Sequence, residues 1–144
     1  MAVLTKQIRE GAHYAYRILA VGKRTAEGKL ECPVLDFFHE IARSRSDLTA
    51  RLTALLDYTA FHGPPRNPQK FKHLAGSEGI FEFKVFQVRL LCFWDTDRLI
   101  ICTNGTIKKT NKSDPDVIRI AEEWRRAYVN AKNKGQLHHE PEHV

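Results

Sequence analysis

The chain has 144 residues and a mass of 16.6 kDa, which at roughly 100–200 residues per domain makes one domain, or one domain with a tail. Its 42% hydrophobic and 28% charged residues are ordinary globular usage and exclude wholesale disorder. The balance is basic, with 23 Lys+Arg against 17 Asp+Glu, and the excess is local: residues 62–134 carry 14 Lys+Arg and 8 Asp+Glu, the remainder nine of each. A concentrated positive half fits either a polyanionic partner or a solvated basic surface.

The longest apolar run, Leu90 to Trp94, is far short of the roughly 20 residues that span a bilayer, so no membrane partner is expected. Lys6, Arg9, Glu10 and Arg17 leave no apolar core for a secretory signal. Cys32, Cys92 and Cys102 lack C-x-x-C spacing, which fits neither a disulfide framework nor a zinc site and points to the cytoplasm. Cys92 and Cys102 sit in apolar stretches and read as buried small hydrophobes.

Residues 1–13 are polar and show no period. Tyr14 to Val21 is rich in aromatic and branched residues and predicts a first strand, and Gly22 to Lys29 has loop composition. Pro33 fits the first turn of a helix over about 33–43, with Val34, Phe38 and Ile41 on one side. Ser46 and Asp47 start a second helix with Leu48, Leu52, Leu55, Leu56 and Thr59 on one face, and Gly63-Pro64-Pro65 stops it. The two make a helical hairpin whose solvated edge holds Arg43, Arg45 and Arg51.

A Gly/Pro-punctuated connection over 62–79 follows. Residues 81–85 alternate, with Phe81, Phe83 and Val85 on one face and Glu82 and Lys84 on the other. Val88 to Trp94 is apolar except at Arg89, the pattern of a strand covered on both faces. Asp95-Thr96-Asp97 is a turn, and Leu99 to Ile107 is a further strand with a bulge or bend at Asn104-Gly105. Asp114, Pro115 and Asp116 open a last helix that carries Val117, Ile120 or Ala121, Trp124 and Tyr128 at helical spacing and ends at Gly135.

The expected fold is α+β. A first strand and a helical hairpin pack on a mainly antiparallel sheet of three or four strands, followed by a C-terminal helix. The leucines at 48–56 are expected to bury against Phe81, Phe83 and Val85. Three parts are expected: an N-terminal extension, 1–29, that includes the first strand; a main domain, 30–134; and a flexible polar tail, 135–144.

The feature with most chemical content is a set of cations borne by the strands. Lys84 is on the polar face of its strand, Arg89 is the one charge in an apolar run, and Lys108, Lys109 and Lys112 close the next strand. A charge in an apolar strand costs several kcal/mol unless it is paired or faces a cleft, so Arg89 either meets Glu82 on the neighbouring strand or faces an anionic ligand. Lys70, Lys72 and His73 precede the strands, and His73 is either an acid–base group or a loop histidine. His138, His139 and His143 stand in a tail that offers no frame for a metal. No nucleophile elbow, phosphate-cradling loop, zinc motif or dinucleotide fingerprint occurs, and no cofactor or metal is expected.

The stretches PVLDFF at 33–38, HGPP at 62–65, KHLAGSEGIFEFKVFQVRLLCFW at 72–94 and ICTNGTIKKTNKSDPDVIRIAEEWRRAY at 101–128 stand in a telling order. Together, from Leu30 to about Asn130, they resemble the RelE/ParE superfamily of type II toxin–antitoxin toxins, nearest its HigB-like, phage-derived branch. The likeness covers roughly 70% of the chain, and the ordered set is more specific than any one motif.

The resemblance implies a RelE-like toxin that cleaves mRNA on translating ribosomes and is neutralised by a helix-turn-helix antitoxin. It places Lys84, Arg89, Lys108 and Lys109 in the catalytic set and Lys70, Lys72, His73 and Lys112 along the RNA. The family's His-Gly and aromatic are replaced here by Asn104-Gly105 and Thr106-Ile107, and its K-T-P helix start by Ser113-Asp114-Pro115. Two other readings share the fold or the charge: a non-catalytic ParE-like toxin that poisons a protein such as DNA gyrase, and an inactive basic RNA-binding module.

Overall fold

Apolar periods sort the chain onto the two sides of one sheet in a computed structural model, which describes residues 3–9, 14–96, 98–110 and 114–140. The elements are β1 (Val3–Arg9), β2 (Arg17–Arg24), β3 (Leu30–Glu31), α1 (Pro33–Ser44), α2 (Ser46–His62), β4 (Phe71–His73), β5 (Phe81–Val85), β6 (Val88–Asp95), β7 (Leu99–Ile107), α3 (Pro115–Asn133) and β8 (His138–Glu140). The strands form one sheet in the order β4-β5-β6-β7-β2-β1-β8, with β3 paired to β2. The β1–β8 and β2–β7 pairings are parallel and the rest antiparallel.

The α+β class, the helical hairpin and the C-terminal helix are as expected, but the sheet has eight strands rather than three or four. The added strands are those with little local signal. In β1 a register shift between Gln7 and Arg9 breaks the two-residue period that would mark a strand. β4 and β8 have three residues each and exist by pairing. β8 lies along β1 with the His139 ring against Thr5 Oγ1 at 3.1 Å and Gln7 Nε2 at 2.9 Å. β2 starts at Arg17 and runs into the expected loop to Arg24, because β1 and β3 supply its partners there.

The helices cover both faces. Val34, Phe37 and Ile41 of α1 and Leu48, Leu52 and Leu56 of α2 pack with Phe83, Val85, Val88, Leu90, Cys92, Ile100 and Cys102, and Phe81 adjoins them. Each such side chain taken from water contributes about 1.5–3 kcal/mol. On the other face Ala121 and Tyr128 of α3 pack with Leu91, Phe93, Ile101, Leu19 and Val21. The run at 88–94 is apolar because successive residues face different helices. All three cysteines are buried, and burial raises their thiol pKa values. Among the described residues no helix is long and apolar enough to cross a membrane.

α3 is capped as its sequence predicts, Asp114 accepting the Asp116 N–H at 2.9 Å. Further along, Tyr128 donates to Asp95 Oδ2 at 2.5 Å and Lys132 reaches Asp95 Oδ1 at 2.6 Å, which fixes α3 to the end of β6. The irregularity expected at Asn104-Gly105 falls one residue earlier, as a bulge at Thr103 where Leu91 faces Asn104 and Cys92 faces Cys102. Asn104 then donates from Nδ2 to the Val117 carbonyl at 3.1 Å, which ties the bulge to α3.

Gly105 is glycine because α1 leaves no room for more. A Cβ there would lie 2.3 Å from Cδ2 of Phe37. Gly105→Ala is therefore expected to lower unfolding stability by about 1–3 kcal/mol in denaturant titration, with part of the loss recovered by Phe37→Leu.

Candidate functional site

Side-chain alternation, rather than any single motif, assembles the candidate site. Glu82 and Lys84 share one face of β5. Cross-strand register puts Lys72 of β4 opposite Glu82, Arg89 of β6 opposite Lys84, and Thr106 of β7 opposite Arg89. Lys108 is two residues further on the same face, its N–H bonded to the Gln87 carbonyl at 2.7 Å. This is the α3 face of the sheet, and the start of α3 forms the far wall of a hollow there. Glu82, Arg89, Thr106 and Lys108 line it with Asp114 and Val117. Its enclosed space, about 10 Å³, is room for about one water molecule, so a larger ligand would sit at the mouth.

Of the two roles open to Arg89 in the sequence, the structure shows the contact with Glu82, and a loose one. Its Nε lies 3.9 Å from Glu82 Oε1, near enough for charge attraction but too far for a hydrogen bond. Its Nη1 donates instead to the carbonyls of Phe86 at 2.6 Å and Val88 at 3.0 Å. The Nε itself is buried and has no hydrogen-bond partner. The guanidinium is thus anchored by backbone at one end and held over a carboxylate that it does not fully engage.

Lys84 is half-buried, and its pKa is pushed below the usual lysine value. Burial is the largest cause, followed by the charges of Lys72 and Arg89; Glu82 opposes them and Lys108 adds to them. Three neighbouring cations therefore act on Lys84 across this patch.

Lys72, Lys84, Arg89 and Lys108 come together, Lys70 lies beside Lys84 at their edge, and His73 and Lys109 stand apart. His73 pairs with Phe81 on the opposite face and sets its ring edge against that phenyl at 5.0 Å. Lys70 is exposed just before β4 and contributes its carbonyl to the Lys84 N–H at 2.9 Å. Lys109 is exposed beyond the end of β7. Lys112 lies outside the described residues. The residue that sequence reasoning undervalued is Glu82, which enters there only as a mate for Arg89. It is 4% exposed, lies opposite Lys72 and 3.9 Å from Arg89, and its parity with Lys84 in β5 was the available signal.

A family model described as "Phage derived protein Gp49-like (DUF891)" matches residues 39–126, which include every member of the cluster. No curated protein matches the chain.

The electrostatic account has opposite consequences for two substitutions. Lys72→Gln removes a cation and is expected to raise the Lys84 pKa. Glu82→Gln removes the one favourable anion and is expected to lower it further. A side-chain NMR titration of Lys84 reads both shifts, and two shifts of the same sign would contradict the arrangement.

Proposed function

Because the chain belongs to the Gp49-like phage-derived family, part of the RelE/HigB-like toxin superfamily, we propose that it is the toxin of a type II toxin–antitoxin pair and acts as an mRNA endoribonuclease. Within that superfamily we place it nearest the HigB-like branch, with a RelE-like fold, a helix-turn-helix antitoxin as partner and translating ribosomes as the place of action in the cytoplasm. The observation that carries the nuclease reading is the gathering of Lys72, Lys84, Arg89 and Lys108 on one side of the sheet around a buried carboxylate.

RNA carries its own nucleophile. The 2′-oxygen attacks the adjacent phosphorus, its proton passes to a base, the bond from phosphorus to the 5′-oxygen breaks, and that oxygen takes up a proton. The products are a 2′,3′-cyclic phosphate and a 5′-hydroxyl. The protein must supply a proton acceptor, a proton donor and positive charge for the phosphorane oxygens. Cations aimed at such a transition state contribute on the order of 10²–10³-fold each, and acid–base groups about 10²–10⁴-fold.

Arginine does not lose its proton, so Arg89 is the phosphate clamp. Lys84, with its lowered pKa, is the group suited to take the 2′-proton in its neutral form. Lys108 at the hollow's edge is placed to return a proton to the leaving oxygen, and Lys72 holds a flanking phosphate. In this mechanism cleavage rises with pH as Lys84 loses its proton. Lys72→Gln, by raising the Lys84 pKa, moves the rising limb to higher pH.

The test adds the purified chain to translating ribosomes with a defined message and maps new 5′ ends. Lys84→Ala and Arg89→Lys are expected to lower cleavage by about 10²–10³-fold with unchanged circular dichroism, while His73→Ala and Lys109→Ala stay within a few-fold of the parent. Full cleavage by both of the first two variants would remove the site assignment. An intact message with defects in DNA relaxation would favour a protein-poisoning toxin. Retained but uncut RNA, with a steep salt slope, would favour a binding module.

A further inference from the structure

The turn between β5 and β6 carries a phenylalanine where its backbone suits glycine. Val85 and Val88 are cross-strand partners, so Phe86 and Gln87 make a two-residue connection. Phe86 has φ +50°, and Gln87 is not among the residues of positive φ. A hairpin turn of that kind takes glycine at its first position, because a Cβ crowds the carbonyl there. Phe86 is also 58% exposed, the most of any large hydrophobic residue among those described. Its ring belongs to neither core. The side chain therefore carries backbone strain and wet apolar surface with no core packing to offset either, and such outliers cluster at functional positions.

Its surroundings indicate what it meets. The Phe86 carbonyl accepts the 2.6 Å bond from Arg89 Nη1, which ties the turn to the guanidinium. The Arg45 guanidinium lies over the ring, 5.9 Å from its centroid. Lys84 and Arg89 form the rung next to the one that closes the turn. Arg45 is itself held by both oxygens of Asp47 at 3.1 Å, so the cation beside the turn that is left for an anion is Arg89. An exposed ring next to such a cation suits a ligand that joins a flat ring to an anion.

We propose that Phe86 is a positioning residue on which a base of single-stranded RNA stacks, next to the phosphate held by Arg89. The assignment rests on the nuclease reading and deepens it. Stacking tolerates any base, so the residue sets where the strand lies and how it is oriented over Lys84, not which base is read. The strained turn points the ring outward from the hairpin apex instead of letting it fold back onto the sheet.

The test uses the full chain and a single-stranded RNA that carries 2-aminopurine and 2′-O-methyl groups, which block cleavage. Fluorescence quenching reports stacking, and titration gives Kd. Phe86→Gly is expected to abolish the quenching and weaken binding by about 5- to 100-fold. Because glycine accepts the positive φ, its melting temperature should equal or exceed that of the parent. Phe86→Leu, apolar but without a π-face, should also lose the quenching, whereas Phe86→Trp should keep it. Parent-like Kd and quenching in the Gly or Leu variant overturns the proposal, and the ring is then better read as a protein contact. Absence of any binding by the parent chain overturns it too. The two readings separate cleanly: stacking that depends on Phe86, with no cleavage of an unblocked message on translating ribosomes, sinks the nuclease and leaves the binding site. Cleavage with unchanged kcat and KM in Phe86→Gly sinks the stacking role alone.

Discussion

Four cations share one face of a small sheet, and a buried carboxylate lies among them. Glu82 is 4% exposed, opposite Lys72 and diagonal to Arg89, and its charge offsets a cluster that would otherwise push its own members apart. The compensation is incomplete by design of the distances. At 3.9 Å from Arg89 Nε, Glu82 attracts without forming the paired hydrogen bonds that would bind the guanidinium to it. An arginine neutralised by a bidentate carboxylate has little left for a phosphate; one held at arm's length by its neighbour, with Nη1 fixed on backbone carbonyls, keeps its orientation and much of its field.

The rest of the fold serves this asymmetry. On one side of the sheet α1 and α2 press so close that Phe37 allows only glycine at 105. That face is closed. On the other side α3 docks over the middle of the sheet and is fixed near its C-terminal end by Asp95. Its first turn reaches the edge of the cationic patch and stops there, with Val117 held through Asn104 to the bulge in β7. The strands at β5–β7 are thus covered on one face and partly open on the other. Charged residues occupy that open part, where burying a charge costs least.

Much of this was legible in the sequence and some of it was not, for identifiable reasons. Helix periods, caps and the Gly-Pro-Pro stop marked α1, α2 and α3 within a residue or two, because those signals are local. The alternation at 81–85 marked β5 and correctly set Lys84 apart from Phe83. β1, β4 and β8 were not legible, since a bulge or a length of three residues leaves no period to count. At the site, adjacency in sequence misled where parity would have decided. His73 follows Lys72, yet in a strand successive residues face opposite ways, and His73 lies with Phe81 on the far face. The left-handed turn at Phe86 was beyond reach, because phenylalanine gives no hint of a positive φ.

On the proposed nuclease reading, a single rung of the sheet supplies the division of labour that phosphodiester chemistry needs. Cleavage requires one cation that never gives up its charge and one amine that does. Arg89 and Lys84 are direct cross-strand partners in the same field, but their chemistry separates them. A guanidinium holds its proton at any working pH, so the unfavourable field of the cluster cannot discharge it. An ammonium responds to the same field by losing affinity for its proton, and burial adds to the effect. Placing the two side by side makes each sharpen the other's role: the charge that Arg89 retains is part of what lowers the Lys84 pKa. Exchanging Lys84 and Arg89 between the two strands would keep the net charge and the rung, but the amine would then sit at the position anchored to the turn carbonyl and the unchanging cation at the one that has to accept the proton.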